Sequence, residues 1–82
     1  MKINAKFHCR EIARSIRSGE YTLSEGTSVE GLVDAAAREA GVTLDQSEKD
    51  CMVFLVNSVP AKWDTQLKDG DMIRVLNKIL GG

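Results

Sequence analysis

The sequence predicts an α+β fold in which a mixed sheet of four or five strands packs on one main helix. Three observations predict it. The first nine residues, "MKINAKFHC", alternate apolar and polar without a break, as a half-buried strand does. Residues 29–40 carry one apolar stripe at helical spacing. Two further apolar stretches, at 51–56 and 71–77, are separated by turn-forming residues.

Taken in order, Met1, Ile3, Ala5, Phe7 and Cys9 share one face of the first strand, with Lys2, Asn4, Lys6 and His8 on the other. Residues 10–20 place Ile12, Ala13 and Ile16 at helix-like spacing but stop at Ser18-Gly19, so they read as an irregular connection with at most one helical turn. Tyr21 and Leu23 alternate in a second strand, 20–24, expected to pair with the first. The helix follows, with either Thr27 and Glu30 forming a capping box or Ser28 capping alone. Val29, Leu32, Val33, Ala36, Ala37 and Ala40 make its apolar face, and Gly41 stands where a left-handed C-cap is expected. Residues 42–50 form a polar connection, and "CMVFLV" (51–56) reads as a buried central strand turned by Asn57-Ser58. Residues 59–67 are a short, interrupted segment around Pro60 and Trp63, with Trp63 expected as a lid over the edge of the core. Asp69-Gly70 makes a tight turn into a last strand with Ile73 and Val75 on one face and Met72, Arg74 and Leu76 on the other. No repeat, linker or low-complexity segment interrupts this order.

An 82-residue chain holds one domain, 1–82. With 11 Lys+Arg against 12 Asp+Glu, charge gives no case for nucleic acid or an anionic membrane as the main partner. The longest apolar run is far short of the roughly 20 residues of a membrane span, and the alternating N-terminus is no signal peptide, so a cytoplasmic location is expected. Cys9 and Cys51 lack C-x-x-C spacing and are expected as reduced thiols. Neighbouring His8 and Cys9 point to opposite faces of a strand and do not converge on a metal. No bound cofactor is expected, and no catalytic set of residues is recognisable. Asp69, Asp71 and Asn57 read as turn residues.

The chain ends "NKILGG". Glycine loses the most backbone entropy on ordering, so two glycines are an odd way to close a strand. At a background of about 7% per position, the pair arises by chance about once in 200 chains. An expression remnant is the trivial alternative.

Residues 54–82, "FLVNSVPAKWDTQLKDGDMIRVLNKILGG", resemble the C-terminal half of the ThiS/MoaD family of ubiquitin-like sulfur carriers. The likeness rests on an apolar strand ending in "VN", the L-x-D-G-D turn at 67–71, the alternating last strand and the terminal Gly-Gly. The element order of the first half matches the family's ubiquitin-like β-grasp, so the resemblance spans the chain and speaks against a cloning remnant. It implies a flexible tail, about 78–82, whose Gly82 is the covalent attachment point, with Gly81 before it. In the family, a ubiquitin-activating-type adenylyltransferase (MoeB/ThiF-like) uses ATP and Mg to adenylate the terminal glycine. Sulfur then displaces AMP and leaves a thiocarboxylate. The carrier is thus a protein co-substrate, not an enzyme, and its other partner is a sulfur-accepting synthase subunit, MoaE-like or a thiazole synthase. Leu76, facing away from the helix-covered side, is expected to contact partners, and Pro60 matches a family position that does so.

Length, the long first strand and the connection after it resemble molybdopterin synthase small subunits and favour that pathway over thiamine thiazole synthesis. Asn77-Lys78 stands where prolines are common in the former, and Ser58 where many carriers have glycine. A ubiquitin-like modifier conjugated through Gly82 and a β-grasp regulatory domain are the remaining alternatives.

Overall fold

In the computed structural model, residues 1–8 and 15–78 are described. Five strands and two helices run in the order β1 (Lys2–Phe7), β2 (Gly19–Thr22), α1 (Val29–Ala40), α2 (Gln46–Asp50), β3 (Met52–Val56), β4 (Val59–Ala61) and β5 (Met72–Asn77). They form one sheet of order β2-β1-β5-β3-β4. β1 and β5 run parallel at its centre, and the other neighbours are antiparallel.

Alternation fixes which side of each strand is buried. Ile3, Ala5 and Phe7 of β1, Ile73 and Val75 of β5, and Met52 and Phe54 of β3 all face α1. The helix answers with Val29, Leu32, Val33, Ala36 and Ala37. Its small alanines let the backbone lie close to the sheet. Ser28 is the N-cap, its hydroxyl accepting from the Gly31 N–H at 3.3 Å. Thr27 instead donates to the Ser24 carbonyl, so the cap is the single-residue alternative. Gly41 ends the helix at φ 73°, with the Val42 N–H reaching back to the Ala37 carbonyl.

Three expectations are corrected. The polar connection at 42–50 contains α2, started by a reciprocal capping box between Asp45 and Glu48. The 51–56 strand is neither central nor wholly buried: β5 holds the middle, and Val53 of β3 is 38% exposed. The cause is that α1 covers one side of the sheet only. The first two strands are shorter than 1–9 and 20–24, at Lys2–Phe7 and Gly19–Thr22. Cys9 and most of the 10–20 connection lie outside the described residues. Where that connection resumes, Ile16 is buried, and Arg17 lies 4.4 Å over the Tyr21 ring while bonding Glu39 of α1 at 3.2 Å.

Two turns tie the strands together. Asn57-Ser58 joins β3 to β4 with φ of 52° and 68°, the twist a two-residue hairpin demands. The Asn57 side chain accepts from the Met72 N–H at 3.0 Å and donates to Asp71 Oδ1 at 2.9 Å. The turn at 68–71 is likewise stitched to the start of β1, the Lys2 N–H donating to Asp69 Oδ1 at 2.6 Å. Both aspartates and Asn57 thus act in turns, as expected. Trp63 packs edge-on to Phe54, with centroids 4.7 Å apart, closing the end of the core as the expected lid.

Candidate functional site

The side of the sheet away from α1 has no layer over it among the described residues, and strand register lays out what it presents. Lys6 sits beside Arg74, Arg74 beside Leu55, and Leu55 beside Pro60 in one row across four strands. In the next row Leu76 sits beside Val53. Met72 lies beside Asn4 in the row on the other side. Val53 and Met72 are each 38% exposed, Leu55 and Leu76 are half-buried, and Pro60 is exposed. Leu76 and Pro60, the two contact residues expected from sequence, therefore lie on one face with Val53 and Leu55 between their strands. Gly81 and Gly82 lie outside the described residues, as does most of the expected tail. Lys78 still extends the β5 ladder, its N–H donating to the Cys51 carbonyl at 2.6 Å.

Sequence reading missed Val53 and Leu55 as surface residues because an unbroken apolar run carries no sign of which half is covered. The signal was the register: once Leu76 faces out, its antiparallel partner must face out too.

The face has a charged side. Lys6 and Arg74 are exposed neighbours on parallel strands, and no carboxylate lies within ion-pair distance of either among the described residues. Lys2, farther down β1, reaches Glu20 at 3.9 Å. The helix layer carries more acid than base: Glu30, Asp34 and Glu39 against Arg38 in α1, and Asp45, Glu48 and Asp50 against Lys49 at α2, with Asp34 paired to Lys49 and Glu39 to Arg17. The chain's near-zero net charge therefore hides an asymmetry between its two sides.

Perturbed acidities lie elsewhere. Burial raises the Tyr21 phenol, a hydrogen bond to Glu39 raises the Arg17 guanidinium, and the Glu48 backbone N–H holds the Asp45 carboxyl below the usual range. All three groups serve a cap or a strut. A cleft of about 420 Å³ lies beside β3 and β4, lined by Met52, Val53, Phe54, Ala61 and Trp63 together with Lys62 and Asp64. It holds no nucleophile–base pair. Cys51 is a free, half-buried thiol and His8 is exposed beyond β1. Among the described residues no three His, Cys, Asp or Glu side chains come together to hold a metal ion, and no helix is long and apolar enough to cross a membrane.

The sequence model of the ThiS family matches residues 1–82, the whole chain. No curated protein matches the sequence. Among solved structures, a Pyrococcus furiosus protein assigned as molybdopterin converting factor, subunit 1, is 26% identical, with a TM-score of 0.72 over 96% of this chain and 99% of that one. SAMP1 from Haloferax volcanii is 16% identical, with a TM-score of 0.77 over 100% of both chains. A further structure, of H. volcanii small archaeal modifier protein 1, is 14% identical and gives 0.77 over 95% of this chain and 98% of that one. The fold is the ubiquitin-like β-grasp.

Proposed function

The chain belongs to the ThiS family of small ubiquitin-like proteins, and from that premise we propose that it is a sulfur carrier working through the carboxylate of Gly82. The observation that carries the proposal is the match along the whole chain, together with a Gly-Gly end that continues from β5, the middle strand.

A free carboxylate is a poor electrophile. Attack of a Gly82 oxygen on the α-phosphorus of ATP, with loss of pyrophosphate, gives an acyl adenylate. A sulfide-level donor then adds to that carbonyl and AMP leaves, so that a carbon–sulfur bond replaces a carbon–oxygen bond. The product is a thiocarboxylate, anionic at neutral pH and a good nucleophile. Glycine suits the step because no Cβ crowds the reacting carbonyl and a slim end can enter a narrow channel. ATP and Mg belong to the activating enzyme. The domain supplies the carried group and a face by which partners hold it, which is why a carrier needs no catalytic residues of its own.

The recipient we favour is a molybdopterin-forming synthase subunit. The 26% identity to the P. furiosus protein over nearly the full length of both chains supports that choice over thiazole synthesis.

The test is intact-mass analysis of the protein after incubation with ATP, Mg, a sulfur donor and the ubiquitin-activating-type enzyme of the same genome. The expected result is the mass change of one oxygen-to-sulfur exchange, mapped to Gly82 and lost when Gly82 is deleted. Transfer is then compared between a molybdopterin synthase large subunit with its precursor and a thiazole synthase. Sulfur arriving only in thiazole would reverse the pathway. Gly82 recovered solely in isopeptide linkage to lysine would replace the carrier with a modifier.

A further inference from the structure

A sheet ends in two edge strands, and each edge is a template for a further strand unless something closes it. Here the edges are β4 and β2. The Asn57 N–H donates to Met72 of β5, so by alternation Val56 bonds Val59 across the hairpin and Pro60 faces outward. Proline has no N–H, and that edge is blunted. At the other edge, Met1 and Leu23 exchange backbone bonds of 2.7 and 2.8 Å, so alternation turns the backbone groups of Glu20 and Thr22 away from β1. β2 contains no proline. It is crossed instead by Arg17, whose Nη2–H donates to the Glu20 carbonyl at 3.0 Å. Among the described residues nothing else bonds the outward groups of Glu20 and Thr22.

Three further features hold Arg17 there. Its Nε–H and Nη2–H donate to the two carboxylate oxygens of Glu39 in α1, at 3.2 and 3.3 Å. Its guanidinium lies 4.4 Å over the Tyr21 ring, and the Tyr21 hydroxyl donates back to the Arg17 carbonyl. Gly19, at φ 140°, leaves the space, since a Cβ there would stand 3.0 Å from Arg17 Nη1. The Arg17 and Glu39 side chains are 49% and 50% exposed, so their ion pair adds little to stability. What the arrangement does is cover a carbonyl that an incoming strand would use.

We propose that Arg17 is a guard that keeps β2 from pairing edge to edge with the β2 of a second copy. The guard goes beyond the carrier reading and stands without it. The occupant follows from the edge itself. Antiparallel pairing about Tyr21 sets Glu20 of one copy opposite Thr22 of the other, and each such pair exchanges two N–H···O bonds. The contact is isologous, with the same groups on both sides of a two-fold axis. Pro60 closes the other edge, so no head-to-tail row of sheets can grow and the assembly stops at a dimer. With Arg17 in place the Glu20 carbonyl is taken. The axis beside Tyr21 would also bring two guanidiniums together, so bulk and like charge both oppose the approach.

Sedimentation velocity over a concentration series, with hydrogen exchange of the Glu20 and Thr22 amides, tests the guard. Wild type should stay monomeric, and both amides should exchange at rates independent of protein concentration. Arg17→Ala should dimerise with a dissociation constant at least about tenfold below that of wild type, and the two amides should slow as concentration rises. Glu39→Gln keeps Arg17 but loosens its hold, and should fall between. Adding Thr22→Pro to Arg17→Ala removes an outward N–H and should restore the monomer, whereas association through unfolded chains would worsen. Circular dichroism reports the fold. If Arg17→Ala unfolds, Arg17→Lys carries the same comparisons, since it keeps the cation but not the fork that bonds Glu39 and Glu20 together. A folded Arg17→Ala or Arg17→Lys protein no more associated than wild type would overturn the guard. So would association that survives Thr22→Pro, which would place the contact elsewhere. Wild type that already dimerises, with slowed exchange at Glu20 and Thr22, would overturn it too.

Discussion

Asn57→Ala tests whether one side chain holds two turns together. Asn57 sits at φ 52°, accepts from the Met72 N–H at 3.0 Å and donates to Asp71 Oδ1 at 2.9 Å. Truncation removes both bonds. At about 0.5–1 kcal/mol each for groups that water can reach, the loss is roughly 1–2 kcal/mol. Alanine also tolerates the left-handed region less well than asparagine, adding about 1 kcal/mol. The expected total is about 2–3 kcal/mol. Asn57→Gly loses the same two bonds but sits freely at this φ, so its cost should be about 1 kcal/mol lower than alanine's. That order is the reverse of what glycine and alanine show in an ordinary strand or helix. Urea unfolding followed by circular dichroism measures it. For a chain this size the slope is about 1 kcal/mol per molar, so the alanine midpoint should fall by about 2–3 M. Equal costs for the two variants, or an alanine cost under about 0.5 kcal/mol, would show that neither the backbone angle nor the staple matters as argued.

Ser58→Gly should stabilise by about 0.5 kcal/mol, since φ of 68° favours glycine by more than the extra unfolded-state entropy costs; a lower urea midpoint would count against it. The Asp45 cap should be pH-dependent. Its folded carboxyl titrates below the usual range, chiefly because the Glu48 N–H donates to it, so its contribution is present above the ordinary aspartate pKa and fades as pH falls through the lowered folded value. The Glu48 amide resonance should therefore titrate at a pH below about 3.9, and a midpoint at or above that would contradict the cap. Leu76→Asp should weaken activating-enzyme binding about tenfold or more while leaving the amide spectrum of α1 intact; loss of fold would mean the side chain belongs to the core.

Where a side chain's own periodicity decided its place, sequence reading reached the structure. β1, α1 and β5 were legible because each alternates or repeats against one covered face, and Gly41 because its position demands positive φ. The 42–50 segment was not. Asp45 and Glu48 spell a capping box, but α2 buries nothing, so no apolar stripe marks the helix they start. β3 failed in the opposite way. Its apolar residues fill both faces, and only the pairing of Val53 with Leu76 shows that one face is open. Leu76 was visible as outward-facing. The Lys6–Arg74 pair was not, because 68 positions separate two residues that only the parallel register of β1 and β5 makes neighbours.

Placing the docking patch on β5 has a consequence for how the tail would be delivered. β5 is hydrogen-bonded on both sides, to β1 and to β3, and so is among the segments least free to open locally. Arg74 and Leu76 are therefore fixed relative to Lys78, whose N–H is held by the Cys51 carbonyl. Gly82 lies six residues beyond Leu76, within at most about 21 Å of it along the chain. A partner seated on the patch would hold the terminal carboxylate in a small volume around its own channel, which corresponds to an effective concentration of roughly millimolar. Contacts on the sheet then raise the chance that the tail finds the channel without touching the reacting carbonyl. Substitutions on the patch should act on KM, and substitutions at Gly82 on the chemical step.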